Sequence, residues 1–271
     1  MFAGGVRRRG SVASMRRILV LVIALWPTAV LAGGNAGDGK VKALACQACH
    51  VGARAFAPRL AGQREAYLVD QLGAFKRGDR KHDLMTPIAS QLDDAAIANL
   101  AAYWSGLPAG DDHDSDAATA IQRSPLTFPR EFPTGFTVYA THNDAESKMV
   151  TKSYANAIAT MAAKAGKPLP LGSMIVVVAY STKHDASDKP VTDKTGAWVV
   201  DQPASYSAME SRRGWGTPVP ELLRNGDWAY NLFGADKTPR ADLNQAKCLA
   251  CHKPAAANSY VFTLAAIRAK T

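Results

Sequence analysis

Two copies of one short cysteine pattern constrain this chain more than any other feature. They are CQACH at residues 46–50 and CLACH at residues 248–252, and together they contain all four cysteines of the chain. A C-x-x-C-H pentad is the attachment signature of a c-type haem. Its two thiols, one helical turn apart, reach the two vinyl groups of a porphyrin, and the adjacent histidine ligates the iron. The sequence therefore predicts two covalently attached c-type haems, bound by Cys46, Cys49 and His50 and by Cys248, Cys251 and His252.

A zinc site and a thiol–disulfide redox pair are the alternatives for these cysteines. A zinc ribbon places its two C-x-x-C pairs about 15–20 residues apart, whereas about 200 residues separate the pairs here. A redox pair explains neither the histidine that follows each motif nor the absence of other cysteines. Covalent haem attachment is therefore the favoured interpretation at both sites.

The first 32 residues have the features of a secretory signal peptide. Five arginines and no acidic residue precede or flank an apolar run over 18–25, and small residues lead to Ala32, where cleavage is expected. Met15 is an alternative start. An uncleaved membrane anchor is the competing interpretation, but the apolar run is about half of the ~20 residues that span a bilayer, and Pro27 interrupts it. We therefore expect a periplasmic protein that no membrane segment anchors after cleavage.

The charge of the chain argues against nucleic-acid binding. The formal net charge is +9, but the five arginines of residues 1–32 supply more than half of it. The remaining positive charge is spread evenly, with no basic run after Arg17. A nucleic-acid-binding surface requires a basic patch or stripe. The 47% of hydrophobic residues is enough to bury cores in two domains.

The pattern of apolar residues predicts two domains joined by a linker. Residues 33–108 show helical periodicity, with an N-cap at Asp38, a helix over 64–76, and a helix that begins at Asp93 or Asp94 and stops at Gly106. Residues 109–127 are acidic and read as a solvated linker. Residues 128–271 contain β-rich runs at 136–139, 173–180, 198–200 and 228–233, with one helix over 153–164. The expected fold class is α+β, an all-α domain followed by a mainly antiparallel β domain with a few helices.

The first domain resembles a class I bacterial cytochrome c. The resemblance rests on the early pentad, on APRLAGQ at residues 57–63, and on a closing helix followed by Leu107-Pro108. It implies an electron-transfer domain in which Met85, in a proline-containing loop, is the sixth iron ligand. His82 is the alternative ligand. A thioether ligand favours ferrous iron and raises the reduction potential.

The second domain resembles the cytochrome P-460 family, which includes hydroxylamine-oxidising enzymes and gas-binding cytochromes c′-β. The resemblance covers about residues 128–268 and rests mainly on the late pentad followed by Val-Phe-Thr at residues 261–263. It implies a β domain over a haem with an open distal side, in a protein that often dimerises. Catalytic members carry a lysine that cross-links to the haem, but Val177 stands at the equivalent position and residues 174–180 contain no lysine.

The sixth ligand of the second iron is left open by the sequence. The candidates are Met174, Met209, Met149, His142 and His184. Chemistry at nitrogen would also need an acid or base near the second haem. The candidates for that role are charged residues near Trp228: Arg224, Glu221, Asp227 and Glu210.

We therefore expect an exported dihaem cytochrome that exchanges electrons with other redox proteins and whose second haem binds nitric oxide or another small gas. The alternative is an oxidoreductase acting on hydroxylamine or nitric oxide at that haem. The missing lysine favours the electron-transfer or gas-binding interpretation over the enzyme.

Overall fold

The structure, a computed structural model, describes residues 1, 4, 5, 33–110 and 116–270. The predicted signal peptide, its cleavage position and the alternative start fall outside the described residues. Residues Gly33–Thr271 form one compact unit. In the described part of the chain, no helix combines the length and apolar character that crossing a membrane requires.

Residues 33–105 contain helices joined by turns and loops and no strand. The helices are α1 (Ala36–His50), α2 (Glu65–Arg77), α3 (Met85–Ala89) and α4 (Asp94–Ser105). The N-cap of α1 is Asn35, whose side chain accepts a hydrogen bond from the Gly37 amide, so the predicted cap at Asp38 is wrong. Asp38 lies in the first turn of α1, where a carboxylate favours the positive end of the helix dipole.

Helix α4 confirms the sequence prediction closely. Asp93 is its N-cap, and the Asp93 carboxylate accepts a hydrogen bond of 2.6 Å from the Ala96 amide. The helix ends at Ser105, before Gly106. The residues with helical spacing form its buried face: Ile97, Leu100, Ala101 and Trp104.

The segment predicted as an acidic linker contains a helix. Residues 111–115 lie outside the described residues, but α5 (Asp116–Gln122) buries Ala118, Ile121 and Gln122. Ile121 belongs to the same core cluster as Ala48 of α1 and Leu249 of the second pentad. Apolar packing against both halves of the chain therefore orders part of a segment whose charge suggested solvation.

The second half of the chain is built on a five-stranded antiparallel sheet. Its strands, in order across the sheet, are β1 (Phe136–Asp144), β2 (Met149–Asn156), β3 (Met174–Thr182), β4 (Val200–Ser211) and β5 (Trp228–Gly234). Helix α6 (Ala157–Lys164) follows β2 directly. The predicted helix over 153–164 therefore begins four residues too early, because Asn156 caps α6 and the residues before it pair with β1 and β3.

One face of the sheet supports the second pentad. Helix α7 (Gln245–His252), a 3₁₀ helix (Lys253–Asn258) and α8 (Leu264–Ala269) follow the last strand. Ile175, Met209 and Tyr230 pair in a row across three strands and share a core cluster with Leu249 of α7. The opposite face forms a separate core that includes Met174, Val176, Val178, Tyr154 and Phe233. The α+β fold class is confirmed.

Candidate functional site

The first pentad lines a deep, largely apolar cavity of about 310 Å³. Cys46, Cys49 and His50 lie at the end of α1 on one wall, and Met85, the first residue of α3, is also part of the lining. Apolar side chains from α2 and α4 supply much of the rest: Leu68, Leu72, Phe75, Leu100, Ala101 and Trp104. An apolar cavity that presents two thiols, an imidazole and a thioether fits a covalently held haem.

The orientation of His50 is fixed by its backbone neighbour. Its Nδ1 lies 2.5 Å from the Pro58 carbonyl oxygen. A carbonyl only accepts, so Nδ1 carries the proton, and Nε2 of the neutral ring is left with its lone pair. Burial lowers the pKa of His50, which favours this neutral form. Iron-binding histidines are oriented by such a bond from the second ring nitrogen.

His82 lies beside Met85 and also lines the cavity. Its Nδ1 faces the backbone amides of Leu84 and Met85 at 3.2 and 3.3 Å. An amide N–H donates, so Nδ1 accepts and the proton of the neutral ring is on Nε2. His82 therefore closes the turn that leads into α3 instead of presenting a lone pair on Nε2.

The second pentad repeats the histidine geometry of the first. His252 Nδ1 lies 2.8 Å from the Tyr260 carbonyl oxygen, eight residues later, as Pro58 follows His50 by eight. The His252 ring lies next to Tyr230 and Phe262, with ring centroids 4.6 and 4.8 Å apart. Burial lowers the pKa of His252. Nε2 is therefore again the nitrogen available to an iron.

The cysteines are unpaired thiols in this structure. Burial raises the pKa of Cys46 to about 11, of Cys49 to about 12 and of Cys248 to about 11. Cys251 is exposed. In the described part of the chain, no three His, Cys, Asp or Glu side chains converge on a possible metal position, whereas a structural zinc requires four converging donors.

The candidates for the sixth ligand of the second iron are scattered. Met174 is buried on the face of the sheet opposite α7, in the other core cluster. Met209 is buried in the cluster that contains Leu249 and Tyr230. His142 is exposed on β1 and Met149 is the first residue of β2. His184 lies 3.1 Å from the Thr182 hydroxyl and 3.3 Å from the Asp188 carboxylate.

The four charged candidates near Trp228 hold local structure. Glu210 accepts a hydrogen bond of 2.6 Å from Arg212, and Asp227 accepts from the amides of Gly214 and Gly216. The Arg224 guanidinium donates to the Val219 carbonyl.

Lys253 binds the carbonyl oxygens of Glu221 and Arg224 at 2.6 and 2.9 Å. Glu221 itself is exposed and pairs with the Arg224 guanidinium at 3.3 Å.

Val177 lies on the sheet face that carries the second pentad. It is half-buried and pairs with Ser153 on β2 and Ser207 on β4. Its row across the sheet also contains Ala140 and Leu232. Small hydroxyl and apolar side chains therefore occupy the part of this face beyond the buried Ile175–Met209–Tyr230 row.

Two features of the site were missed by the sequence analysis. Leu222, Leu223 and Ala250, from the second half of the chain, line the first cavity. Asn244 joins the two pentad helices through its side chain. An asparagine before a helix signals an N-cap. Nothing in the sequence indicated that the same side chain also binds the Ala48 carbonyl of α1.

Comparisons with known proteins match two parts of the chain. The Cytochrome P460 family matches residues 129–263. Over the N-terminal region, cytochrome c-554(548) of Halomonas halodenitrificans is 40% identical over 79 residues, which are 27% of this chain and 95% of that protein. Cytochrome c4 of Pseudomonas aeruginosa is 39% identical over 98 residues, 34% of this chain and 48% of the relative.

A third relative is the thiosulfate dehydrogenase electron acceptor of Thiomonas intermedia, which is 38% identical over 103 residues, 35% of this chain and 46% of that protein. The chain therefore spans about half the length of two of these three relatives. Both families imply covalently bound haem and electron transfer. The chain belongs to the cytochromes c, with a cytochrome c domain fused to a Cytochrome P460 domain.

Proposed function

We propose that this protein is an exported dihaem cytochrome that transfers electrons through a His/Met haem to or from a second haem, which binds nitric oxide or another small gas. When bound, each haem supplies a one-electron ferric/ferrous couple. The residues proposed to hold the two haems are Cys46, Cys49, His50 and Met85 for the first, and Cys248, Cys251 and His252 for the second.

The observation that carries the proposal is the matched geometry of the two histidines. Both end a helix that bears two cysteines, and both donate from Nδ1 to a carbonyl eight residues later. This bond fixes the tautomer and leaves Nε2 for iron. The same arrangement at both ends of the chain supports two haems rather than one.

Met85 is the proposed sixth ligand of the first haem because His82 is engaged elsewhere. The Leu84 and Met85 amides donate to His82 Nδ1, which puts the proton of the neutral ring on Nε2. Met85 lines the same cavity as His50. A haem with protein ligands on both sides has no open position, so this domain is proposed to pass electrons only.

A gas-binding second haem is favoured over an oxidoreductase acting on hydroxylamine or nitric oxide. Chemistry at nitrogen needs a placed acid or base, and the candidates Glu210, Asp227 and Arg224 are bound to neighbouring groups. The residues in the Val177 row across the sheet are uncharged. If this face lined the second haem, its neutral side chains would suit a small uncharged ligand.

The proposed location is the periplasm, and the proposed partners are other redox proteins. Residues 1–32 have the composition of a signal peptide. The Thiomonas intermedia relative is named as the electron acceptor of a thiosulfate dehydrogenase, which supports exchange with another redox protein as the role of the cytochrome c domain.

The mass and the visible spectrum of the purified protein test this proposal. The intact mass should correspond to a chain cleaved near Ala32 that carries two haems. The ferrous spectrum should change at one haem when nitric oxide is added, and hydroxylamine should not reduce an added dye. A mass with one haem, or steady dye reduction by hydroxylamine, would contradict the proposal.

A further inference from the structure

The two pentad helices pack directly against each other. One core cluster contains residues from the end of α1 and from α7: Ala45, Ala48, Cys49, Ala246, Leu249 and Ala250. Four of these six residues are alanines. Small side chains at a helix contact allow the two helix axes to approach closely. The proposed haem-binding elements therefore share an interface in the described structure.

The second pentad forms part of the wall of the first cavity. Ala250 lies between Cys248 and Cys251, and it lines the cavity that also contains Cys46, Cys49 and His50. Leu222 and Leu223 complete this side of the cavity. Ala250, a residue of the second attachment helix, therefore faces the space in which a group bound by the first pentad would lie.

One side chain caps both helices. The buried Asn244 is the N-cap of α7, and its Oδ1 accepts a hydrogen bond of 2.9 Å from the Ala246 amide. Its Nδ2 donates to the carbonyl oxygens of Ala48, at 2.7 Å, and Arg54, at 3.0 Å. Ala48 lies in the last turn of α1, where carbonyls have no donor within the helix.

Two buried glutamines extend this polar contact. Gln122 of α5 donates from Nε2 to the Val51 carbonyl, at 3.0 Å, just beyond the end of α1. Gln245 donates to the Ile121 carbonyl at 3.2 Å, and its Oε1 accepts from the Tyr230 amide at 3.0 Å. The ends of α1, α5 and α7 are therefore joined by directional bonds in addition to apolar packing.

We propose that Asn244 is a positioning residue that fixes the two haem-binding helices relative to each other and thereby sets the rate of electron exchange between the haems. The inference rests on the proposed two haems. In the exchange, one iron loses an electron and the other gains it, with no bond or proton change. Tunnelling rates fall steeply with separation, so a contact that controls the approach of the helices also controls this rate.

The substitution Asn244→Ser separates the two roles of the side chain. Serine is a good N-cap, so it keeps a cap for α7, but it is too short to reach the Ala48 and Arg54 carbonyls. The matched control is Asn35→Ser, because Asn35 caps the N-terminus of α1 in the same way, far along the helix from Ala48. All variants are tested as the full chain with haem attached, after the haem content is counted by mass.

A photoreduced flavin, a one-electron donor, starts the exchange, and absorbance follows the redistribution between the two haems. We expect a rate that is independent of protein concentration in the unaltered protein and in N35S, and a severalfold slower rate in N244S with unchanged spectra. An equal rate in N244S would overturn the positioning role. A protein with one haem would instead overturn the proposed function.

A second measurement needs no substitution and keeps the inference testable if N244S does not fold. The electron paramagnetic resonance of the ferric second haem is recorded in the fully oxidised protein and again after the first haem is reduced. A neighbouring paramagnetic ferric haem accelerates the electron-spin relaxation of the second haem. Once the first haem is reduced, the signal of the second haem should therefore saturate at a lower microwave power. Identical saturation in the two states would show separated haems and overturn the inference.

Discussion

The side-chain amide of Asn244 donates a 2.7 Å hydrogen bond to the Ala48 carbonyl oxygen, across 196 residues of sequence. Ala48 lies inside the first C-x-x-C-H pentad, and Asn244 caps the helix that carries the second. Two motifs at opposite ends of the chain therefore meet at one buried side chain. This contact distinguishes the structure from two cytochrome domains on a flexible tether.

Replacing Asn244 should destabilise the protein more than replacing another N-cap. In N244S, the buried Ala48 carbonyl loses its donor, and a buried unsatisfied group costs about 1–3 kcal/mol. The Arg54 carbonyl, whose bond is only partly buried, can be solvated instead. We expect the free energy of unfolding to fall by about 1–3 kcal/mol in N244S and by less than about 0.5 kcal/mol in N35S. Chemical denaturation monitored by circular dichroism measures both, and equal losses in the two variants would refute the bridging role.

Met85→Ala should lower the reduction potential of the first haem. The thioether favours ferrous iron, so its removal stabilises the ferric state relative to the ferrous state. Met161→Ala is the control, because Met161 is 65% exposed on α6. Potentiometric titration followed by absorbance gives the potentials, and an unchanged potential in M85A would rule out Met85 as the ligand.

His82→Ala should weaken the turn before α3 without replacing the iron ligand. The Leu84 and Met85 amides lose the acceptor on His82 Nδ1, a loss comparable to that of a helix cap, about 0.5–2 kcal/mol. The spectrum of the first haem should remain that of a methionine-ligated iron. A change of ligation in H82A, with M85A unaltered, would reverse the assignment.

Ala250→Leu should disturb the first haem although Ala250 lies in the second pentad. Ala250 is 1% exposed and lines the first cavity, so three further carbon atoms overpack it at a cost of about 1–3 kcal/mol. We expect reduced haem content or a shifted spectrum at the first site. Ala256→Leu, at an exposed position of the 3₁₀ helix, should change neither, and an unaltered first haem in A250L would contradict the shared wall.

The local patterns were sufficient for much of the secondary structure. The Asp93 cap, the apolar face of α4 and its end before Gly106 follow from helical spacing and capping chemistry, which act within one turn. The predicted helix start at residue 153 was wrong because Ser153 and Tyr154 pair with two neighbouring strands. Strand pairing is a long-range interaction, and a single-sequence pattern carries little information about it.

The pentads by themselves determined the chemistry of this protein, because covalent haem attachment depends on residue types at fixed short spacing. They also identified His50 and His252 as the proposed iron ligands. Only the tertiary structure decided that Ala250 closes the first cavity and that Asn244 caps both pentad helices. Those contacts join residues about 200 positions apart. They form through buried hydrogen bonds and close packing between distant segments, and neither leaves a periodic signal in the sequence that identifies the partner.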